Sequence, residues 1–193
     1  MPPKARITRD MILDAAFDLV RAEGHEALNV RTLAKRLGCS TQPILYNFAA
    51  VEELKDAVYQ RADEFHTAYI LPKGGEGADA LLELGLNYVR FGHEEKHLFR
   101  FLFESDRFGG MDFKGLLRWP GSDELVAILA EALGCPAAEA EKLFMTFFAV
   151  AHGLASLLCN NAMEYDETEY AAMLETVFNG ALAALTSKGE EYA

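Results

Sequence analysis

The sequence predicts an all-α protein, with an N-terminal three-helix domain built on a helix-turn-helix and a C-terminal helical domain. Three observations carry this. Apolar residues recur at helical spacing along most of the 193 residues, strand-like alternation is absent, and Gly24, Gly38 and the LPKGGEG stretch fall at the ends of periodic segments.

Taken in order, the first helix starts after Thr8, whose side chain suits an N-cap, with Asp10 in the first turn where a carboxylate suits the helix dipole. Ile12, Ala15, Ala16, Leu19 and Val20 form its apolar face, and Gly24 ends it. Asn29 caps a short second helix with Val30, Leu33, Ala34 and Leu37 inward, closed by Gly38. Cys39 and Ser40 make a tight turn, and Ser40 is placed to cap a third helix, TQPILYNF. Pro43 is tolerated there because the first backbone N–H groups of a helix have no internal partner. A fourth helix runs from Val51 to Tyr69 and is followed by the breaker LPKGGEG. Further helices are predicted near 78–94, 97–105, 122–133, 137–163 and 167–187, with Ser105–Gly121 a long irregular connection.

A chain of this length buries roughly 70% of its unfolded surface, so it needs no covalent staples. Cys39, Cys135 and Cys159 are odd in number and form no CxxC pair, which suits a reducing cytoplasm and argues against a disulfide framework. The most apolar stretch, Leu143–Cys159, contains His152, Gly153 and Ser156 and reads as the core helix of a soluble protein or dimer, with no membrane expected. The net charge of −12 is uneven. Residues 1–55 carry eight Lys/Arg against seven Asp/Glu, leaving +1, whereas residues 56–193 carry ten against 23, leaving −13. Any nucleic-acid contact therefore belongs to the first part, where Lys4, Arg6 and Arg9 precede or open the first helix. The domain boundary is placed where this balance changes, inside the fourth helix: 1–55 and 56–193.

In NVRTLAKRLGCSTQPILYNF (29–48), the small Ala34 lets two helices cross closely, Gly38 permits the sharp turn, and Ile44 pins the second helix. Thr41 and Gln42 then stand at the exposed start of that helix, where short polar side chains reach base edges in the major groove. A plain helical hairpin uses the same residues.

The order ILDAAFDLVRAEG, NVRTLAKRLGCS, a third helix ending at Phe48, and EELKDAV resembles the TetR family of bacterial regulators over residues 8–58, and more loosely to the end. EEKHLFRFLF resembles the junction of the fifth and sixth helices of that family. FFAVAHGLASLL resembles a His-Gly segment in the eighth helix of one branch, with Phe148 where that branch often has tryptophan. Two positions depart from the family: Leu45 stands where a phosphate-contacting tyrosine is common, with Tyr46 beside it, and Val51 stands where lysine is common, with Lys55 one turn later. The resemblance implies a homodimeric regulator that binds a double-stranded DNA operator and a small-molecule effector, works in the cytoplasm, needs no cofactor and catalyses nothing. The implied DNA-binding residues are Arg31, Thr32, Ser40, Thr41, Gln42, Pro43, Leu45, Tyr46, Asn47 and Lys55; for Tyr46 the alternative is a half-buried packing residue. The implied effector pocket draws on Phe91, Phe103, Trp119, Phe148 and His152, the alternative being plain core. Ala149, Gly153 and Ser156 form a small-residue stripe, and Tyr170, Leu174, Val177, Phe178, Ala181, Leu182 and Leu185 repeat along the last helix, so the last two helices are expected to form a two-fold four-helix interface.

One motif points elsewhere. His93-Glu94-x-x-His97 has the spacing of a zinc-binding helix, and Glu104 or Asp106 could supply a third ligand. An all-helical zinc hydrolase or metal-responsive protein using His93 and His97 is therefore the alternative. A charged, solvated helix end is the plainer reading of the same residues.

Overall fold

The computed structural model describes residues 7–74, 77–105, 112, 115 and 122–190, the last six by their backbone alone. Every regular element among them is helical: α1 (Arg9–Glu23), a short 3-10 turn (His25–Ala27), α2 (Val30–Arg36), α3 (Gln42–Asn47), α4 (Val51–Ile70), α5 (Gly77–Glu94), α6 (Lys96–Phe103), α7 (Ser122–Leu133), α8 (Ala137–Asn160) and α9 (Glu167–Glu190). The chain forms two compact units. One contains residues 7–68 and Glu95–Ser105; the other contains Tyr69–Glu94 and the described residues from 112 onward. The boundary read from charge, 55/56, falls inside α4, whose last two residues belong to the second unit.

In the first unit the local signals act where they stand in the sequence. The Thr8 hydroxyl accepts the Met11 N–H, and Gly24 (φ 89°) donates its own N–H to Val20. The Asn29 side chain accepts from Arg31 and Thr32 N–H and starts α2. Ile12, Ala16, Leu19 and Val20 are buried as their spacing predicts, together with Phe17, which meets Phe65 of α4 edge-on at 5.6 Å. The start of α3 differs from expectation. The residue before it is Thr41, not Ser40, and it makes no side-chain capping bond. Cys39 is spent on the turn, its N–H bonding Ala34 O, so the helix begins one residue later.

His66 of α4 is buried in this unit, with its ring edge-on to Phe103 at 5.0 Å. Burial holds its pKa down at about 4. The unfolded chain, with a histidine near 6.5, then binds more protons than the folded one between these values. Stability is fully present above pH 6.5 and falls as the pH drops towards 4, by about 3 kcal/mol at most. Urea titrations at pH 7.5 and 5 should show this loss, and His66→Gln should flatten it; an unchanged pH slope in that variant would refute the assignment.

In the second unit α8 is the central helix, packed by α5, α7 and α9. It is long and apolar enough to cross a membrane by composition, but its apolar residues Leu143, Phe144, Phe147, Ala151 and Leu158 are buried within the unit. Gly85 and Gly92, two turns apart on α5, are where α5 comes close to its neighbours: a Cβ at Gly85 would strike the Phe147 ring, and one at Gly92 would strike Ala155. The last helix corrects an expectation. Tyr170, Leu174 and Phe178 are buried inside this unit, Phe178 lying edge-on to Phe147 at 6.4 Å, so they are not available to a second copy. The side chain of Leu185 lies outside the described residues. The small or apolar positions left exposed include Ala149, Gly153 and Leu157 on α8 and Ala172, Met173, Thr176 and Gly180 on α9.

Candidate nucleic-acid interface and ligand wall

α2, the turn at Gly38 (φ 62°) and α3 form the helix-turn-helix. Ala34 and Leu33 are buried on α2, and Ile44 is the buried residue of α3. With Ile44 inward, the opposite side of α3 faces solvent. Gln42 is exposed, Leu45 is 52% exposed and Tyr46 is 82% exposed. Tyr46 is thus not a packing residue. Arg31 and Ser40 are also exposed; Thr32, Thr41, Pro43, Asn47 and Lys55 are half-buried.

Some of these side chains are already engaged. The Asn47 amide donates to Pro43 O at 2.7 Å, folding back along α3, and Lys55 pairs with Glu52 at 2.9 Å. Arg9 is held by Glu53 at 3.0 Å and lies over the Phe48 ring at 4.1 Å. Lys4 and Arg6 lie outside the described residues.

The five pocket candidates separate. Phe148 and His152 meet on α8, their rings stacked at 5.7 Å and 28°. Tyr88 of α5 joins them, its ring 5.3 Å from Phe148 and its hydroxyl 2.9 Å from His152 Nδ1. Burial raises the Tyr88 pKa well above the usual phenol value, so Tyr88 keeps its proton and is a neutral partner for Nδ1. Phe91 is fully buried against Tyr69 at 5.3 Å. Phe103 lies in the other unit, 5.1 Å from Phe99, and Trp119 lies outside the described residues. Sequence reasoning passed over Tyr88. The signal available was Asn87-Tyr88 flanked by Leu84, Leu86, Val89 and Phe91, two polar tips in a locally apolar stretch. An open hollow of about 580 Å³ lies on the flank of the same unit, lined by Leu86, Glu167, Thr168, Ala171, Ala172 and Glu175; none of the five candidates lines it.

The His-Glu-x-x-His motif does not form a metal-binding face. α5 ends at Glu94, Glu95 leaves the helical region (φ −113°, ψ 49°), and α6 begins at Lys96. His93 stacks on Tyr165 at 5.0 Å, whereas His97 sits against Gly24 in the other unit. The i, i+4 spacing brings two histidines together only on one continuous helix. Glu104 caps the end of α6, and Asp106 lies outside the described residues. Among the described residues no three His, Cys, Asp or Glu side chains gather as a metal site.

A profile of the tetracycline repressor-like C-terminal domain matches residues 81–183, more than half of the chain. The chain belongs to the TetR family. It is 31% identical over 78 residues to the class D tetracycline repressor protein of Escherichia coli, an alignment that spans 40% of this chain and 36% of that repressor's length. A TetR-family transcriptional regulator from Streptomyces coelicolor superimposes with a TM-score of 0.71 at 20% identity, covering 99% of this chain and 86% of that one. A TetR-like regulator from Rhodococcus sp. RHA1 gives 0.65 at 18%, covering 95% and 99%. At these identities the likeness is one of fold, and it is the TetR fold that extends along the whole chain.

Proposed function

We propose that this TetR-family protein is a ligand-responsive, DNA-binding transcriptional regulator, a cytoplasmic repressor that binds a palindromic operator as a homodimer. The observation that carries the reading is the outer face of α3, where Gln42, Leu45 and Tyr46 stand exposed on a helix anchored by Ile44. Arg31, Thr32, Ser40, Thr41, Pro43, Asn47 and Lys55 surround that face and are assigned to the phosphate backbone and groove edge. The repressor role is supported by the curated relative, which is itself a repressor. An effector enters the second unit beside Phe148 and His152. In this reading the Tyr88 hydroxyl donates to His152 Nδ1, which leaves Nε2 as the donor to an acceptor oxygen on the effector. Effector binding releases DNA if it favours a spacing of the two recognition helices other than the roughly 34–36 Å that one helical turn of DNA requires.

The test is fluorescence anisotropy on the intergenic DNA upstream of the gene, at about 150 mM salt with excess random competitor. Binding that survives the competitor is expected; equal affinity for random DNA would refute an operator-reading role. Gln42→Ala should cost about 1–3 kcal/mol at one base position and relax specificity there, as read from a panel of single-base operator variants.

The dimer is assigned to the exposed faces of α8 and α9, around Ala149 and Gly153 and around Met173, Thr176 and Gly180. A Cβ at Gly153 meets nothing within 4 Å. Gly153→Arg is therefore expected to leave the folded subunit intact while blocking close helix approach. Sedimentation equilibrium should find monomers; a dimer of unchanged affinity would move the interface elsewhere.

A further inference from the structure

Arg9 belongs by position with Lys4 and Arg6, as part of a basic arm beside the first helix, and the simple expectation is that it holds a phosphate. Its contacts give it another task. The guanidinium lies 4.1 Å from the centroid of the Phe48 ring, the buried residue that ends α3. Its Nη2 donates to Glu53 Oε1 at 3.0 Å, and the other oxygen of Glu53 accepts the Ala49 N–H at 2.9 Å. One carboxylate thus joins the first residue of α1 to the backbone of the turn between α3 and α4. The guanidinium covers the side chain at the near end of that turn, while Glu53 holds the turn from the first turn of α4.

α3 needs such help. It has six residues, no side-chain cap at its start, and Ile44 as its buried anchor. One apolar contact fixes the depth of a helix but leaves it free to swivel about that contact. A second fixed point at Phe48 and Ala49 removes the swivel. The planar face of the Arg9 guanidinium is turned onto Phe48, and its fork onto Glu53.

We propose that Arg9 and Glu53 form a clamp that orients α3, and that Arg9 supports DNA binding through this clamp as a positioning residue and not as a phosphate ligand. The proposal rests on the reading of α3 as the DNA-reading helix.

The two roles predict opposite signs at Glu53. If Arg9 were a phosphate ligand restrained by Glu53, then Glu53→Gln would free a cation and tighten binding to DNA. For a clamp, Glu53→Gln weakens binding as Arg9→Ala does. The experiment measures affinity for the upstream intergenic duplex between 100 and 300 mM KCl, for wild type, Arg9→Ala, Arg9→Lys, Glu53→Gln and the Arg9→Ala/Glu53→Gln pair. Each single variant is expected to bind about tenfold more weakly, with the double variant no weaker than either single one, the mark of two residues in one interaction. Arg9→Lys should be as weak as Arg9→Ala, because an ammonium lacks the planar face that lies on Phe48 and the fork that meets Glu53. The salt dependence of log K should keep its slope. Tighter binding by Glu53→Gln, rescue by Arg9→Lys, or a slope reduced by about one in Arg9→Ala would overturn the clamp. Hydrogen exchange without DNA separates this from the underlying reading. Glu53→Ala, which removes the oxygen that accepts the Ala49 N–H, should raise exchange at that amide and along α3, and unchanged exchange there overturns the clamp whether or not the wild type prefers the duplex. Wild-type protein that fails to prefer the duplex counts against the DNA reading alone.

Discussion

Gly92→Ala is expected to destabilise the protein by about 3 kcal/mol, the upper end of what overpacking costs in a close-packed interior. The methyl group would lie 2.7 Å from Ala155 Cβ, 2.8 Å from its carbonyl oxygen and 2.9 Å from its Cα. Two of those three atoms are backbone of the central helix α8, so no rotamer change relieves the clash and the helices must separate. The sign is the informative part. In an open helix the same change stabilises, because alanine is the better helix former by about 1 kcal/mol. Urea denaturation of Gly92→Ala should therefore move the midpoint down, not up. A stabilised Gly92→Ala would mean that α5 and α8 do not approach as closely as described.

Ile44→Ala is expected to cost about 3 kcal/mol, within the range for truncating a buried isoleucine, and to abolish specific DNA binding beyond that cost. α3 is far shorter than the ~12–15 residues at which an isolated helix becomes even marginal in water, so its helicity depends on what it is packed against. Ile44 is 1% exposed and is the buried residue of that helix. Without it, α3 should fray while α1 and α4 remain folded. Hydrogen exchange should show α3 amides losing protection ahead of the global transition, with anisotropy reporting lost preference for the operator duplex. Ile44→Val, which removes one methylene, should lose about 1 kcal/mol and retain binding. Protected α3 amides in Ile44→Ala would show that another contact holds the recognition helix.

The helices were largely readable because their signals are local. Thr8, Gly24, Asn29 and Gly38 each act within one turn of where they stand, through a capping oxygen or a backbone conformation that glycine adopts cheaply. The helix-turn-helix was readable for a related reason: it needs a small residue, a glycine and an apolar anchor at set spacings, and all three lie within twelve residues. The candidate site was less legible. Gln42 and Tyr46 follow from the position of α3, but Tyr88 could be joined to Phe148 and His152 only once α5 was laid against α8, 60 residues away in the sequence.

The sequence by itself determined that the chain is helical, where most helices start and stop, which segment carries the basic arm and turn, and which family pattern it follows. Tertiary structure decided the rest. One turn of His-Glu-x-x-His spacing became the ends of two different helices, because Glu95 leaves the helical region between them. Tyr170, Leu174 and Phe178, periodic enough to suit a dimer face, were drawn into their own subunit by Phe147 and α5. Gly85 and Gly92, unremarked in a helical run, became the points of closest approach. Periodicity states that a face will be buried; which surface buries it depends on partners distant in the chain, and only their packing specifies that.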